Sequence, residues 1–232
     1  MTRARIAALI AILLALAAGA LALSRGGRPA ERTKLLYLSS LPILYGEQFG
    51  LDGPAHPVLA ALRERFELVP IDVTDPGSLK KCRLLIMAQP RAQPPENLVA
   101  LDEWVRRGGR VLIFADPMLE WPSDTPLADP TRPPRMFADT GLLGHWGLRL
   151  DAPDERGPVT ADIAGRSIVT ASPGTLHGDC RIEEGGLIAE CVVSRGRAIV
   201  VADADLLNVE SGNPGASGNL AALETLLSRL ER

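Results

Sequence analysis

The alternation of apolar and polar positions along the chain predicts strands and helices that follow one another in turn. Short apolar runs with few polar interruptions are typical of strands that are covered on both faces. Such runs occur at 34–40, 83–88, 110–115 and 197–202, and a further short strand is expected at 67–72. Apolar residues recur at helical spacing in 58–66, and again between Pro95 and the Gly108-Gly109 pair that is expected to end the second helix. This alternation indicates a parallel sheet with right-handed crossovers.

The pattern changes after residue 116. Six prolines in 117–135 leave no room for a helix in that segment. Further elements are expected as a helix at 137–143, strands at 158–161 and 166–171, and an amphipathic helix at 220–230. The whole pattern predicts an α/β fold, with a flavodoxin-like or Rossmann-like, mostly parallel sheet, helices on both of its faces and a C-terminal β-hairpin region.

The hairpin is predicted around two of the three cysteines. Cys180 and Cys191 bracket the sequence CRIEEGGLIAEC, in which Gly185-Gly186 suits a two-residue turn. In that register the two cysteines lie opposite each other, with their Cα atoms expected within about 6 Å. A disulfide is within reach in an oxidising compartment, and two buried free thiols are the alternative. The chain has no CxxC motif, which argues against a structural zinc site or a thioredoxin-type centre.

The N-terminus predicts attachment to a membrane. Residues 6–23 are 18 residues without a charge, and as a helix they would be about 27 Å long, enough to span a bilayer core. We expect a retained transmembrane signal anchor, and the alternative is a signal peptide cleaved after Ala22. The predicted organisation is a cytoplasmic tail at 1–5, the anchor at 6–23, a linker at 24–33 and an extracytoplasmic domain at 34–232. The protein is therefore expected in the cytoplasmic (inner) membrane, crossing it once, with its soluble domain in the periplasm.

Charge is divided unequally along the chain. The 232 residues carry a net charge of −3, but 34 N-terminal residues hold six basic side chains against the single Glu31. The remaining 19 basic and 27 acidic residues give 35–232 a net charge of −8. An acidic domain lacks the basic surface that binding to a phosphate backbone requires, so no nucleic-acid partner is expected. An apolar content of 46% with 23% charged residues excludes a largely disordered or polytopic membrane protein.

Two segments resemble a known family. They read LLIMAQPRAQPPENLVALDEWVRRGGRVLIFADP and VVADADLLN…NLAALETLL. An apolar strand, a helix that ends in Gly-Gly, a strand that ends in Asp-Pro and a late D-x-D-x-L-x-N stretch are similar to the soluble domain of the GldG-like, ABC-transporter auxiliary family. The resemblance covers about residues 34–230. It implies a flavodoxin-like domain held outside the cytoplasm that partners the permease and ATPase subunits of an ABC transport system.

Candidate site residues follow the predicted strands. In a doubly wound sheet, ligands bind beyond the carboxyl ends of the strands. The polar residues expected there are Gln89, Asp116, Asp203, Asp205 and Asn208. Converging carboxylates can hold a cation or another ligand through their oxygens, or they can cap turns by accepting backbone hydrogen bonds. If they cap turns, Asp116 and Asp203 are expected to be held in the ionised form.

Aromatic residues on the irregular segments are a second candidate feature. Trp121 lies in the proline-rich segment, and Tyr45 and Phe49 lie in the loop 41–57. Such side chains either form an exposed binding surface for a partner or fold back over the sheet.

Motifs for catalysis and cofactor binding are absent from the sequence. The strand end Ala88-Gln89-Pro90 has no nucleophilic cysteine, and G-x-S-x-G, Walker A, HExxH and GxGxxG motifs do not occur. We therefore expect no catalytic residue, no metal and no cofactor. The first hypothesis is a membrane-anchored, non-catalytic auxiliary subunit that binds a protein partner or a solute. The alternatives are a degenerate amidotransferase-like or carbohydrate-active hydrolase that uses the three aspartates, and a free periplasmic solute-binding protein.

Overall fold

A seven-stranded sheet lies between two helical layers in this computed structural model, which describes residues 32–45, 55–126, 129–209 and 215–232. The predicted anchor 6–23 lies outside the described residues, as do Phe49 and the linker up to residue 31. Within the described ranges, no helix is both long and apolar enough to cross a membrane.

The elements follow in the predicted alternation. The strands are β1 (Thr33–Ser39), β2 (Phe66–Pro70), β3 (Leu84–Ala88), β4 (Arg110–Phe114), β5 (Leu148–Asp151), β6 (Pro158–Ile163), β7 (Arg166–Ala171), β8 (Thr175–Gly178), β9 (Arg181–Glu183), β10 (Ile188–Val193) and β11 (Gly196–Val201). The α-helices are α1 (Pro57–Arg65), α2 (Pro76–Leu79), α3 (Pro95–Arg106), α4 (Leu142–His145) and α5 (Ala216–Leu230). Proline occupies the first position of α1, α2 and α3, where its missing N–H removes no helical hydrogen bond. Gly108 follows α3 with a φ of +104°, as the Gly-Gly pair predicted.

The central sheet is mostly parallel. Its order is β2-β1-β3-β4-β11-β10-β9, in which β1, β3, β4 and β11 are parallel neighbours. The last two strands, β10 and β9, are antiparallel additions at one edge. β5 with β8, and β6 with β7, form separate antiparallel ribbons. The predicted α/β class and mostly parallel sheet are confirmed, and the carboxyl ends of β3, β4 and β11 meet at one edge.

Helices cover both faces of the sheet, as predicted. Alternate residues of each strand point to opposite faces, so the strands are nearly continuous apolar runs that divide between two cores. α1 and α5 pack on the core that contains Phe114, and α2, α3 and α4 pack on the core that contains Ile113. Both cores belong to one compact unit, Lys34–Arg232.

The helix predicted at 137–143 is wrong in its bounds. The helical turn α4 begins only at Leu142. The backbone N–H of Phe137 donates to the carbonyl of Asp116 instead, at 2.7 Å. Gly141 has a φ of +105°, which no right-handed helix accommodates, and the Asp139 carboxylate accepts from the N–H groups of Gly141 and Leu143. Side-chain capping therefore delays the helix by five residues.

The hairpin register is the one predicted. Glu183 pairs with Ile188 and Arg181 pairs with Glu190, which sets Cys180 opposite Cys191. Gly185 and Gly186 both have positive φ, and the N–H of Leu187 donates to Glu184 O at 3.2 Å to close the turn. The two cysteines are joined by a disulfide, with their Cα atoms 4.8 Å apart.

Candidate functional site

Three buried aspartates meet at the carboxyl edge of the sheet. Asp116 follows β4 and Asp203 follows β11, which is the parallel neighbour of β4. Both side chains are fully buried, and Asp205, two residues further on, is 7% exposed. The carboxylates lie at the same edge because β4 and β11, the apolar strands that precede them, are parallel and paired in register.

The carboxylates of Asp116 and Asp205 connect the loop after β4 to the loop after β11 by hydrogen bonds. The Asp116 carboxylate accepts from Met118 N at 2.7 Å in its own loop, and from Ala204 N at 2.9 Å in the loop after β11. In return, the Asp205 carboxylate accepts from Glu120 N at 2.7 Å in the loop after β4. The two loops are therefore tied by reciprocal side-chain-to-backbone hydrogen bonds.

Asp203 fastens the β6–β7 ribbon to the same edge. Its carboxylate accepts from Thr170 Oγ1 at 2.6 Å, on β7, and from Leu206 N at 2.7 Å. Asn219 of α5 completes the connection, because its amide pairs with both the N–H and the C=O of Val169 on β7. The same amide donates to Leu206 O at 2.8 Å. One polar network thus joins the loop after β4, the loop after β11, the ribbon and α5.

Gln89 extends the network to β3. It is fully buried, has a φ of +44°, and exchanges hydrogen bonds with the backbone of Asp116. Its amide also donates to Pro134 O at 3.0 Å, which holds the far end of the proline-rich segment. A left-handed conformation is uncommon for a residue with a side chain, and here two buried hydrogen bonds to Asp116 stabilise it.

Burial governs the electrostatics of the three aspartates. Loss of solvation raises the pKa of Asp116 to about 6, although the backbone N–H groups of Ala204 and Met118 act in the opposite direction. Loss of solvation, together with the charges of Asp116 and Glu120, raises the pKa of Asp205 to about 7. The pKa of the fully buried Asp203 is also raised, by burial first and by the neighbouring Asp116 second.

The capping N–H groups lower the pKa of Asp116 and Asp203, as expected, but burial outweighs them and the net shift of both pKa values is upward. Nearby carboxylates add to the cost of burial: the charge of Glu120 raises the pKa of Asp116, and the charges of Asp116 and Asp205 raise that of Asp203. The site can bind and release protons near neutral pH. Among the described residues, no group of three or more His, Cys, Asp and Glu has an arrangement that could hold a metal ion.

The remaining sequence candidates are Trp121, Asn208 and Tyr45. Trp121 is 8% exposed and belongs to the apolar core, with its ring centroid 6.0 Å from that of His56, so it folds back over the sheet. Asn208 donates its backbone N–H to Asp205 O at 2.9 Å. Tyr45 is 63% exposed.

Thr170, Asn219 and Glu120 belong to the network but were not identified from the sequence. Asn219 carries a signal that sequence reasoning can use, since it is a polar residue on the same helical face as the buried Leu223 and Leu226. Thr170 and Glu120 carry no comparable signal, because their partners are distant in sequence. Thr170 bonds to Asp203, 33 residues away, and Glu120 bonds to Asp205, 85 residues away.

A comparison with protein families finds one match. The family described as an ABC-type uncharacterized transport system, of auxiliary type, matches residues 32–154, more than half of the chain. Among the curated proteins, none matches the chain.

Solved structures are similar in fold. Gan42B, a GH42 beta-galactosidase from G. stearothermophilus, has a TM-score of 0.50 and 14% identity, over 88% of this chain and 30% of the enzyme. A cytoplasmic protein from Salmonella typhimurium has a TM-score of 0.48 and 11% identity, over 83% of this chain and 98% of that protein. The chain spans less than a third of the length of the beta-galactosidase it matches, and at this identity the likeness concerns the fold alone.

Proposed function

Because this chain belongs to the family of auxiliary components of ABC-type uncharacterized transport systems, we propose that it is a membrane-anchored, non-catalytic auxiliary subunit whose α/β domain lies in the periplasm. Residues 6–23 serve as the anchor, and the domain binds a protein partner or a solute of the transport system. Its partners in this proposal are the permease and ATPase subunits of that system. The family match over 32–154 is the observation that carries the proposal.

The geometry of the carboxylates supports a structural role for them. Each of the three carboxylates accepts at least one backbone N–H, and two of the three aspartates are fully buried. A substrate must touch a catalytic acid or base within hydrogen-bond distance. Fully buried carboxylates that are already engaged with their own loops offer no such approach.

One observation favours hydrolysis as a second candidate function. The pKa of Asp205 is about 7, and the carboxylate of Asp116 lies near it. Two neighbouring carboxyl groups, one of them with a raised pKa, are a common arrangement of a general acid and its partner. Asp205 is also the least buried of the three. Purified protein that cleaves glycosidic or amide substrates, and loses this activity on Asp205→Asn, would establish the hydrolase and contradict the non-catalytic proposal.

The anchor is tested by fractionation of cells that express the tagged full chain. We expect the protein to stay in the membrane after carbonate washing, and Leu14→Arg, which places a charge inside the apolar run, to release it. Ser24→Arg, which adds the same charge just outside the run, is the control and should leave retention unchanged. A soluble mature form that begins near Leu23 would contradict anchoring and support the free solute-binding protein.

Partner binding is tested on the retained protein. After extraction in a mild detergent, affinity purification of the tagged chain should recover a permease and an ATPase subunit in amounts comparable to its own. Recovery of the chain alone, under conditions in which the transporter itself stays assembled, would contradict the proposed partnership.

A further inference from the structure

Basic side chains cluster at the edge of the sheet opposite the aspartates. This edge holds the amino ends of the parallel strands, where Arg83 precedes β3, Arg110 begins β4 and Arg195 precedes β11. Lys80 and Lys81 lie in the turn that leads to β3, and both are exposed. We call these five residues the basic edge.

The members of the basic edge are contiguous. Arg110 N donates to Arg83 O at 2.9 Å, because β3 and β4 are in register at this end. A Cβ placed on Gly108 would lie 4.0 Å from Arg83 Nη1 and 3.8 Å from Arg195 O. The backbones of three neighbouring strands thus meet around the turn after α3, where the Arg83 guanidinium also lies. The Arg110 guanidinium instead donates to the carbonyls of Leu230, Glu231 and Arg232 at the end of α5.

Acidic partners do not neutralise this edge. Neighbouring basic residues are paired, such as Lys34 with Glu67 at 3.9 Å and Arg107 with Glu103 at 3.1 Å. By contrast, none of the four side chains of Lys80, Lys81, Arg83 and Arg195 forms an ion pair within the described ranges. An excess of positive charge therefore remains on one edge of a domain whose net charge is −8.

The first strand begins at the same edge. β1 is parallel to β3 and begins at Thr33, so the chain from the predicted anchor enters beside the amino ends of the strands. The linker 24–33 has ten residues and can span at most about 35 Å. In the proposed anchoring, this linker joins the membrane to the amino edge of the sheet.

We propose that the basic edge binds the anionic phospholipid headgroups of the membrane in which residues 6–23 are anchored. The inference rests on the proposed anchoring. Guanidinium and ammonium groups suit phosphate oxygens, and each basic residue near an anionic membrane surface increases partitioning by about fivefold. The short linker makes this weak attraction sufficient, because the second contact is intramolecular. Binding in this orientation turns the edge with Asp116, Asp203 and Asp205 away from the lipid.

The test uses the purified full chain in vesicles of phosphatidylcholine alone, or of an equal mixture with phosphatidylglycerol. A water-soluble acylating reagent modifies exposed lysines, and mass spectrometry reads the rates at Lys80 and Lys81. We expect these rates to be at least about fivefold lower in the mixed vesicles, and to recover at high salt, which screens the attraction.

Two variants with the same change in net charge make the test specific. The double variant Arg83→Glu with Arg195→Glu should abolish the protection of the lysines in mixed vesicles. The control, Arg91→Glu with Arg166→Glu, reverses two exposed arginines outside the basic edge and should keep the protection.

The possible results distinguish a failure of the proposed anchor from a failure of the proposed lipid site. Protein that does not float with vesicles of either composition contradicts the anchor. Protein that floats but shows equal lysine rates in both lipids, or loses protection equally in both double variants, overturns the basic edge as a lipid site. Protection that occurs in native membranes and is absent from vesicles of pure lipid overturns it as well, and assigns the edge to a protein partner.

Discussion

Replacement of Asp205 by asparagine should stabilise the protein in a pH-dependent way. Asparagine has the same shape and keeps an oxygen that can accept from Glu120 N, but it removes a charge from a volume that Asp116 also occupies. The pKa of Asp205 is about 7 in the folded protein, against the ordinary value of 3.8. At pH 8 this difference corresponds to about 4 kcal/mol, and relaxation of the loop around the charge reduces the expected gain to about 2–4 kcal/mol.

The sign of the pH dependence follows from proton binding. Between pH 3.8 and about 7 the folded protein keeps a proton on Asp205 that the unfolded chain has released. Rising pH therefore lowers the free energy of unfolding through this window, and Asp116, with a pKa of about 6, acts in the same direction. The gain from Asp205→Asn should be larger at pH 8 than at pH 5 by at least about 1 kcal/mol.

Urea unfolding at pH 5 and pH 8, followed by tryptophan fluorescence, measures this gain. Trp121 and Trp146 are both buried and become exposed on unfolding, so they report on the core. Asp154→Asn, which removes a charge from an exposed loop, is the matched control and should change stability by less than about 0.5 kcal/mol. An Asp205→Asn variant that is less stable than the wild type at both pH values would refute the argument from burial.

Two further predictions concern the network and the hairpin. Asn219→Leu should lower the free energy of unfolding by about 2–4 kcal/mol, because it leaves the Val169 N–H and the carbonyls of Val169 and Leu206 without this partner. Urea unfolding of this variant is compared with that of the half-buried control Ser228→Ala, and equal stability of the two would contradict the prediction. Replacement of both Cys180 and Cys191 by serine should cost about 3 kcal/mol, because the disulfide closes a loop with a sequence separation of 11, and a reducing agent should then destabilise only the wild type.

The fold was largely predictable because its signals are local. The strands β3, β4 and β11 are nearly unbroken apolar runs, and the Gly108-Gly109 pair marks the end of α3 within a residue or two. The hairpin register followed from one turn. Where a distant partner decides the structure, prediction failed: Phe137 N bonds to Asp116 O, 21 residues away in sequence, and the expected helix starts late.

The candidate site was predictable in position but not in charge state. Strand ends indicated Gln89, Asp116, Asp203 and Asp205, and these four residues do form one network. Their protonation depends on how deeply the carboxylates are buried and how many of them lie close together, and the tertiary structure determines both. Local sequence showed the backbone caps that lower each pKa, and it did not show the burial that raises all three.

The buried aspartates stabilise one particular arrangement of the segments more than they stabilise the folded state. Leucines at these positions would avoid the cost of desolvation, and apolar replacement of buried charges is often neutral or stabilising. Leucines would also pack in many ways, whereas each carboxylate accepts from particular backbone N–H groups, and that of Asp116 accepts from groups in two different loops. The segment 117–135 contains six prolines and no regular element up to residue 126, so no helix or strand selects its conformation there. Asp116, Asp205 and Gln89 supply that selection, and the edge of the domain that faces away from the proposed lipid site keeps a defined shape for a partner to bind.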